Sequence, residues 1–397
     1  MVAGYSKSQA FDETLFLDSE ARILKCIHFC ASVDVRLGGV SRSVIDLVVA
    51  LHGRSVDVSL AYTHIGSEEN SLTAFPEGLI VHDLSSKERF FADATKLIQQ
   101  FDVVHLHTPW WTQNLRLVAI ARRLGKPVFL SSHGMLDDWS MEQKPFKKYL
   151  YMKFFGERMI RKCVVHCTAK SEMEQVLKRT SPLAVEVIPL VIDEKYLSGS
   201  PEVNTALSRW PFLEDPFSKK LLFLGRVDPK KGVDVAINAL ASLPSTILCI
   251  AGPGEVSYIN QLKELATQLG VADRVRWLGS VYNQEKDSLL AACDCMLLPT
   301  QQENFGLVLV EGLSMGMHVV TTAGTDIWQE IQHCGGIIAE RTPDAFAKAV
   351  KSCLAVSTSS SERLDSQRRR LRDWLDPETT VDTYIRMYDI YRKKARY

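Results

Sequence analysis

The chain has 397 residues, 46% hydrophobic and 24% charged, which is a globular composition and excludes a disordered or collagen-like chain. That length suits two domains of ordinary size, each able to bury its own core. Lys plus Arg number 47 and Asp plus Glu number 47, so no global field recruits nucleic acid or anionic lipid, and any such binding has to be local.

Nine cysteines are scattered through apolar runs with no paired C-x-x-C spacing. Buried free thiols in a reducing compartment account for them better than a disulfide frame or a zinc site. The opening MVAGYSKSQAFDETLFLDSE lacks a basic segment followed by an apolar one, and no apolar run approaches membrane-spanning length. The expectation is a cytoplasmic protein, with residues 1–20 a polar lead-in.

The first strong strand is Ile23 to Ala31. A loop carrying Gly38 and Gly39 follows, opening onto a helix whose Val44, Ile45, Leu47, Val48 and Leu51 face inward. Strand, glycine turn and helix make the nucleotide-fold pattern, with the glycines where backbone must approach something closely; a tight turn without ligand fits the pair equally well. Strands near 56–62, 79–84, 103–107 and 128–131, separated by crossover-length segments, predict a parallel α/β sheet. Functional groups belong at the carboxyl ends of such strands. Two ends are unusual: HLHTPWW at 105–111, with Trp110 and Trp111, and SSHGMLDDW at 131–139, with His133, Asp137, Asp138 and Trp139. The tryptophans can stack on a sugar face or close the core rim.

KPFKKYLYMKFFGERMIRK at 144–162 interleaves seven basic residues with aromatics and methionines at roughly helical spacing. One reading is a helix pressed onto an anionic membrane; the other is a solvated helix whose aromatic face packs into its own domain. A strand at 163–169, a helix at 171–179 and a strand at 185–190 lead to a Ser-, Pro- and acid-rich linker near 190–216.

A second α/β domain follows. Its first strand, 220–227, ends at Arg226, with Lys231 five residues on, and two cations converging there suit a diphosphate. Further strands are expected at 246–251, 274–278, 294–299 and 319–322. Glu303 to Thr322, ENFGLVLVEGLSMGMHVVTT, reads as loop, helix and strand, with Asn304 as helix cap, Phe305 to Ser314 helical and Gly316 ending the helix. The amides of Phe305, Gly306 and Leu307 then form an anion site. Glu303 in the loop and Glu311 two turns into the helix are carboxylates suited to hydroxyls, or ordinary solvated charges. Pro343 to Ala355 is helical, 357–361 a soft loop, and 363–397 helical with a break at Pro377. There the Tyr384, Met387, Tyr388, Tyr391 stripe reads as core packing.

ENFGLVLVEG resembles the E-x7-E signature of retaining GT-B glycosyltransferases, especially glycosyltransferase family 4, and LGRVDPKKG at 224–232 resembles their phosphate motif. GGVSRS at 38–43 and SSHGM at 131–135 resemble the matching N-terminal elements. The resemblance implies an α/β protein of two Rossmann-like parallel-sheet domains facing a cleft. It places an N-terminal acceptor-side domain at 1–200, a nucleotide-sugar domain at 201–376, and a C-terminal helix at 377–397 crossing back to the first. It implies a nucleotide-sugar donor, a glycan or lipid-linked acceptor, retention of configuration, and no metal or other cofactor. Arg226, Lys231 and the 305–307 amides would hold the diphosphate, Glu303 the donor sugar, Glu311 the ribose, and His133 the sugar or phosphate from the opposite wall. Gly38, Gly39, Gly254 in AGPGE, and the backbone near Val281 in GSVYN complete the donor side. Trp110, Trp111, Asp137 and Trp139 are acceptor-side candidates. An inactive sugar-binding scaffold and a glycan phosphorylase are the alternatives; a dinucleotide oxidoreductase lacks its G-x-G-x-x-G.

Overall fold

The computed structural model describes residues 23–54, 56–64, 75–199, 202–355 and 360–395. The lead-in at 1–20 and most of the soft loop at 357–361 lie outside the described residues.

Among these, thirteen strands form two wholly parallel sheets. The first holds β1 (Leu24–Cys30), β2 (Val56–Tyr62), β3 (Ile80–Asp83), β4 (Val103–His107), β5 (Val128–Ser131), β6 (Val164–Cys167) and β7 (Ala184–Val187), in the order β3-β2-β1-β4-β5-β6-β7. The second holds β8 (Lys219–Leu224), β9 (Thr246–Ala251), β10 (Val275–Gly279), β11 (Cys295–Leu298), β12 (His318–Thr321) and β13 (Ile337–Ile338), ordered β10-β9-β8-β11-β12-β13. The central strands are apolar on both faces because helices cover both, as a parallel sheet requires. Strand order reverses between β1 and β4, paired at Cys26 and Val103, and again between β8 and β11, paired at Leu221 and Cys295. At each reversal the loops leaving the strand ends splay apart and open a crevice.

Side chains of β1 alternate between two cores: Leu24, Cys26 and Cys30 face one, Ile27 and Phe29 the other. The helix Pro377–Lys394 lays Val381, Tyr384, Met387 and Tyr388 onto the first of these, so the chain's last helix returns to the first sheet. All nine cysteines are buried and free.

Two segments differ from their sequence reading. The 190–216 stretch is not a bare linker: Leu190, Ile192, Leu197, Ala206 and Leu213 enter the core of the second sheet. Its helix Asn204–Arg209 docks by an Ala206 N–H to Ser288 Oγ bond of 2.9 Å. Those apolar residues are too widely spaced to show a period. The 144–162 stretch breaks into a helix Pro145–Tyr151, a π turn Met152–Gly156 and a short helix Glu157–Ile160. Met159 and Ile160 are buried, whereas Phe146 is 71% exposed and Tyr149, Phe154 and Phe155 are each more than half exposed. Most of its aromatic residues stay exposed, while Tyr151 donates to the Pro109 carbonyl at 3.2 Å and packs on Trp110. The two-residue β13 was too short to be read from periodicity.

Candidate active site

The two strand-order reversals face each other across a cavity of about 580 Å³. The loops after β1 and β5 make one wall; those after β8, β9, β10 and β11 make the other. The walls touch. A Cβ on Gly38, whose φ of 125° already favours glycine, would lie 3.4 Å from an Arg226 guanidinium nitrogen. The Lys230 ammonium sits 4.2 Å from the centre of the Trp139 ring, a cation–π contact between domains.

On the C-terminal wall, Arg226 is exposed and Lys231 half-buried, both lining the cavity. Lys231 Nζ pairs with Glu303. Lys286 Nζ lies 2.6 Å from Glu311 Oε1, while the buried Glu311 Oε2 has no hydrogen-bond partner among the described residues. Burial first, then the charge of Lys231, lowers the Lys230 pKa. The helix beyond Glu303 runs Leu307–Ser314, capped by Gly306 at φ 69° without a side-chain bond. Asn304 is therefore not the cap. A left-handed Gly306 turns the chain first, and Asn304 instead donates to Asp326 Oδ2 at 3.2 Å, with its Oδ1 3.3 Å from Thr168 Oγ1 across the domain boundary. The open first-turn amides shift with the cap to Leu307 and Val308, both lining the cavity. Phe305 lines it as well, with its ring stacked on Trp374 at 5.7 Å.

The N-terminal wall is organised from below. The loop after β5, which carries His133 at φ 50°, is held by Glu172, a fully buried carboxylate. Glu172 accepts from the Gly134 and Thr168 N–H groups at 2.6 Å each, from Ser132 Oγ at 2.7 Å and from Thr168 Oγ1 at 2.9 Å. Burial raises its pKa, but these donors outweigh that and lower it overall. Beneath His133 lies a stack of histidines from three strands. His133 Nε2 meets His107 Nδ1 at 3.1 Å, and His107 Nε2 meets His28 Nδ1 at 3.1 Å. A second branch has a fixed direction. His166 Nε2 must donate to the Ile188 carbonyl at 2.8 Å, so Ser131 donates to His166 Nδ1, His105 Nε2 donates to Ser131, and Tyr388 donates to His105 Nδ1 at 2.6 Å. Burial holds His28 down to about 3 and His133 to about 4, and keeps His105 and His107 well below the ordinary range. Ring nitrogens of His28, His105 and His107 come within 4.8 Å of one another. The His105 and His107 rings are stacked at 19° and both His105 nitrogens are hydrogen-bonded, so their in-plane lone pairs do not converge on a common point.

Of the residues singled out by sequence, the cavity is lined by Gly38, Gly39, His133, Asp137, Trp139, Arg226, Lys231, Val281, Glu303, Asn304, Phe305, Gly306, Leu307 and Glu311. Four do not line it, among them Asp138, an exposed carboxylate paired with Lys178 and Arg179. Gly254 bridges to Val227, and Gly252 and Pro253 take its place at the wall. Trp110 donates to the Met135 carbonyl at 3.1 Å and packs on Tyr151, and Trp111 packs edge-on against Phe90 at 5.8 Å. These two close the first domain's core rim, the alternative their bulk allowed. Asp137 lines the wall, but its carboxylate is spent capping the helix Asp138–Glu142 through the Ser140 N–H. Lys230, Lys286, Glu172, Asp326 and the histidines at 28 and 107 were missed. Lys230 lay inside DPKKG and His107 inside HLHTPWW, whereas Lys286 and Glu172 sit in ordinary amphipathic helices and left no signal.

Two parallel-sheet domains with their reversal points facing across one cleft define the GT-B architecture, and solved structures share it. The chain superposes on the Anabaena protein HepE in complex with UDP and glucose with a TM-score of 0.74, at 16% identity, over 92% of this chain and 99% of that one. It also superposes on WaaG, a glycosyltransferase involved in lipopolysaccharide biosynthesis, with a TM-score of 0.65 at 18% identity, over 90% and 99%. The model for group 1 glycosyl transferases matches residues 206–371, and that for glycosyltransferase family 4 matches 37–196. Among curated relatives, a D-inositol 3-phosphate glycosyltransferase of Mycolicibacterium gilvum is 24% identical over 88% of this chain and 84% of its own length. One from Stackebrandtia nassauensis is 27% identical over 72% and 71%. The chain belongs to the group 1, family 4 glycosyltransferases and is a transferase.

Proposed function

We propose that the enzyme transfers a hexosyl unit from a nucleoside diphosphate sugar, UDP- or GDP-linked, to a hydroxyl of a glycan or lipid-linked acceptor, with retention of configuration. The observation that carries this reading is the C-terminal wall: Arg226, Lys231, Lys230 and the first-turn amides of Leu307 and Val308 on one side of a single cavity. Glycosyl transfer builds negative charge on the departing diphosphate, and preorganised cations and amides stabilise that charge most where it grows. The unpartnered Glu311 Oε2 suits a ribose hydroxyl, and Glu303 the hydroxyls of the sugar. His133 faces both from the opposite wall. Structural relatives described in complex with UDP and UDP-glucose support a nucleotide-sugar donor.

Retention is supported by what the carboxylates are already doing. Glu303 and Glu311 are paired with lysines and Asp137 caps a helix, so none is poised as a nucleophile. A same-face route, in which a donor phosphate oxygen takes the acceptor proton, fits this arrangement. With cations and amides at the leaving group, no metal is invoked. No described helix is long and apolar enough to cross a membrane; the exposed aromatic and basic surface of 144–162 suits peripheral contact with an anionic one. The test is incubation with a panel of UDP- and GDP-hexoses and hydroxyl acceptors, with the product's anomeric configuration read by NMR. A product retaining the donor's configuration upholds the reading; an inverted product, or transfer from free phosphate chemistry alone, overturns it.

A further inference from the structure

His133 reaches the cavity with one ring nitrogen committed, and what that commitment does to the other has a chemical consequence. Its Nε2 is 3.1 Å from His107 Nδ1, and His107 Nε2 is 3.1 Å from His28 Nδ1, so three imidazoles form one chain from β1 to the cleft. A neutral imidazole has one donor and one acceptor. The chain can therefore run in only two directions. Run toward the cleft, His28 Nδ1–H donates to His107, His107 Nδ1–H donates to His133, and His133 carries its remaining proton on Nδ1. Run the other way, His133 donates from Nε2, and the proton left over falls on His28 Nε2.

The far end decides between them. His28 is fully buried and its Nε2 has no hydrogen-bond partner among the described residues. Direction away from the cleft leaves an N–H donor stranded there, and direction toward the cleft leaves a lone pair. A stranded buried donor is the rarer defect, and desolvating one without a partner is costly. The neighbouring branch cannot reverse this choice, because its direction is set by the Ile188 carbonyl and it shares no hydrogen bond with the His28–His107–His133 chain.

We infer that His107 and His28 are positioning residues that fix His133 in its Nδ1–H tautomer, so that His133 meets its ligand as a hydrogen-bond donor. In the donor complex proposed above, on which this inference rests for its catalytic meaning, a donor at that point matches an anionic phosphate oxygen or a sugar hydroxyl oxygen. The opposite tautomer would set a lone pair against them. Group orientation through a partner's tautomer is the second-layer effect by which a histidine's chemistry is commonly set, and a wrong tautomer in a catalytic histidine is expensive.

The experiment is long-range proton–nitrogen correlation NMR on protein labelled with 15N-histidine, with no donor present, which reads the protonated ring nitrogen of His133 directly. The expected result is Nδ1–H in the wild type and a shift to the Nε2–H form or a mixture in His107→Phe, which keeps a ring and breaks the chain. Protonation of His133 on Nε2 in the wild type overturns the inference, as does an unchanged His133 tautomer in His107→Phe. Where that variant does not fold, the wild-type spectrum decides alone. For transfer activity, His107→Phe is expected to lower kcat about tenfold or more with a smaller change in KM, and to cost less than about twofold in a His133→Ala background. Equal losses in the two backgrounds would mark His107 as merely structural. Because the tautomer is read without a nucleotide, failure of the transferase reading and failure of this one give different results.

Discussion

Acidification should destabilise this protein through its buried histidines, and the size of the effect follows from their position. In the unfolded chain a histidine titrates near 6.5, so between pH 7.5 and 5.5 it passes from mostly neutral to mostly charged. In the folded protein burial holds His28 to about 3 and His133 to about 4, and both remain neutral across that window. A group whose folded value is depressed stabilises fully above its unfolded value and loses that contribution as pH falls. Each such histidine therefore costs about 1 kcal/mol over the two units. His105 and His107 are also held well below the ordinary range by burial, and His166 below it, so the buried set together comes to roughly 5 kcal/mol. Asp326 opposes them. Burial pushes its carboxyl up to about 7, so the native state takes up that proton within the window while the unfolded chain does not, returning about 2 kcal/mol. The net loss of about 3 kcal/mol is a large part of a typical stability of about 5–15 kcal/mol. Urea denaturation at half-unit pH steps measures it, and Asp326→Asn, which removes the opposing contribution, should make the fall steeper. A flat profile, or greater stability at pH 5.5, would refute the neutral buried stack.

Three further outcomes follow from single contacts. Glu172→Gln sets an amide N–H₂ against the donors of Gly134, Thr168 and Ser132; a loss of about 3 kcal/mol or more in chemical denaturation is expected, and a loss under 1 kcal/mol would contradict the role given to it. Lys286→Met leaves Glu311 buried without its ammonium; nucleoside diphosphate affinity, measured by calorimetry, should fall about tenfold with about 3 kcal/mol of stability, and Lys286→Arg should recover part of both. Replacing Phe146, Phe154 and Phe155 by serine should reduce cosedimentation with anionic vesicles but leave neutral-vesicle background unchanged, since each basic residue near such a surface adds about 1 kcal/mol and the aromatics supply the apolar part; equal sedimentation of parent and variant would remove the membrane from the account.

Most of the fold was legible because parallel sheets buried on both faces leave long apolar runs punctuated by glycine and proline. The β1 run could be read to within a residue at each end, and the β8 run at its start, although that strand stops at Leu224 and leaves Arg226 in the loop beyond. The cationic loop, Glu303, Glu311 and His133 were legible because the motifs around them are local in sequence. What failed to show was whatever depends on packing between distant segments. Asn304 has the chemistry of a cap, but its neighbour Gly306 takes the left-handed turn that a cap would otherwise make. Trp110 and Trp111 have the bulk for a sugar platform, and only the fold reveals that Met135 and Phe90 are their partners. The histidine chain was beyond sequence altogether, since His28 in β1, His107 in β4 and His133 in the loop after β5 are brought side by side only by the β1-β4-β5 strand order. Glu172 reads as one more surface charge on a helix until the loop it supports is folded over it.

The central claim is that the cleft between the domains is a nucleotide-sugar site held by cations of the second domain. Its most direct test is a thermal-shift titration of UDP, GDP, ADP and their sugar conjugates against the parent, Arg226→Ala and Lys231→Ala. At a hundred times the dissociation constant, binding should stabilise the parent by about 2.7 kcal/mol, with one base preferred and the stabilisation lost in both variants. Stabilisation of parent and variants alike would place the nucleotide elsewhere, and none with any nucleotide would contradict the claim.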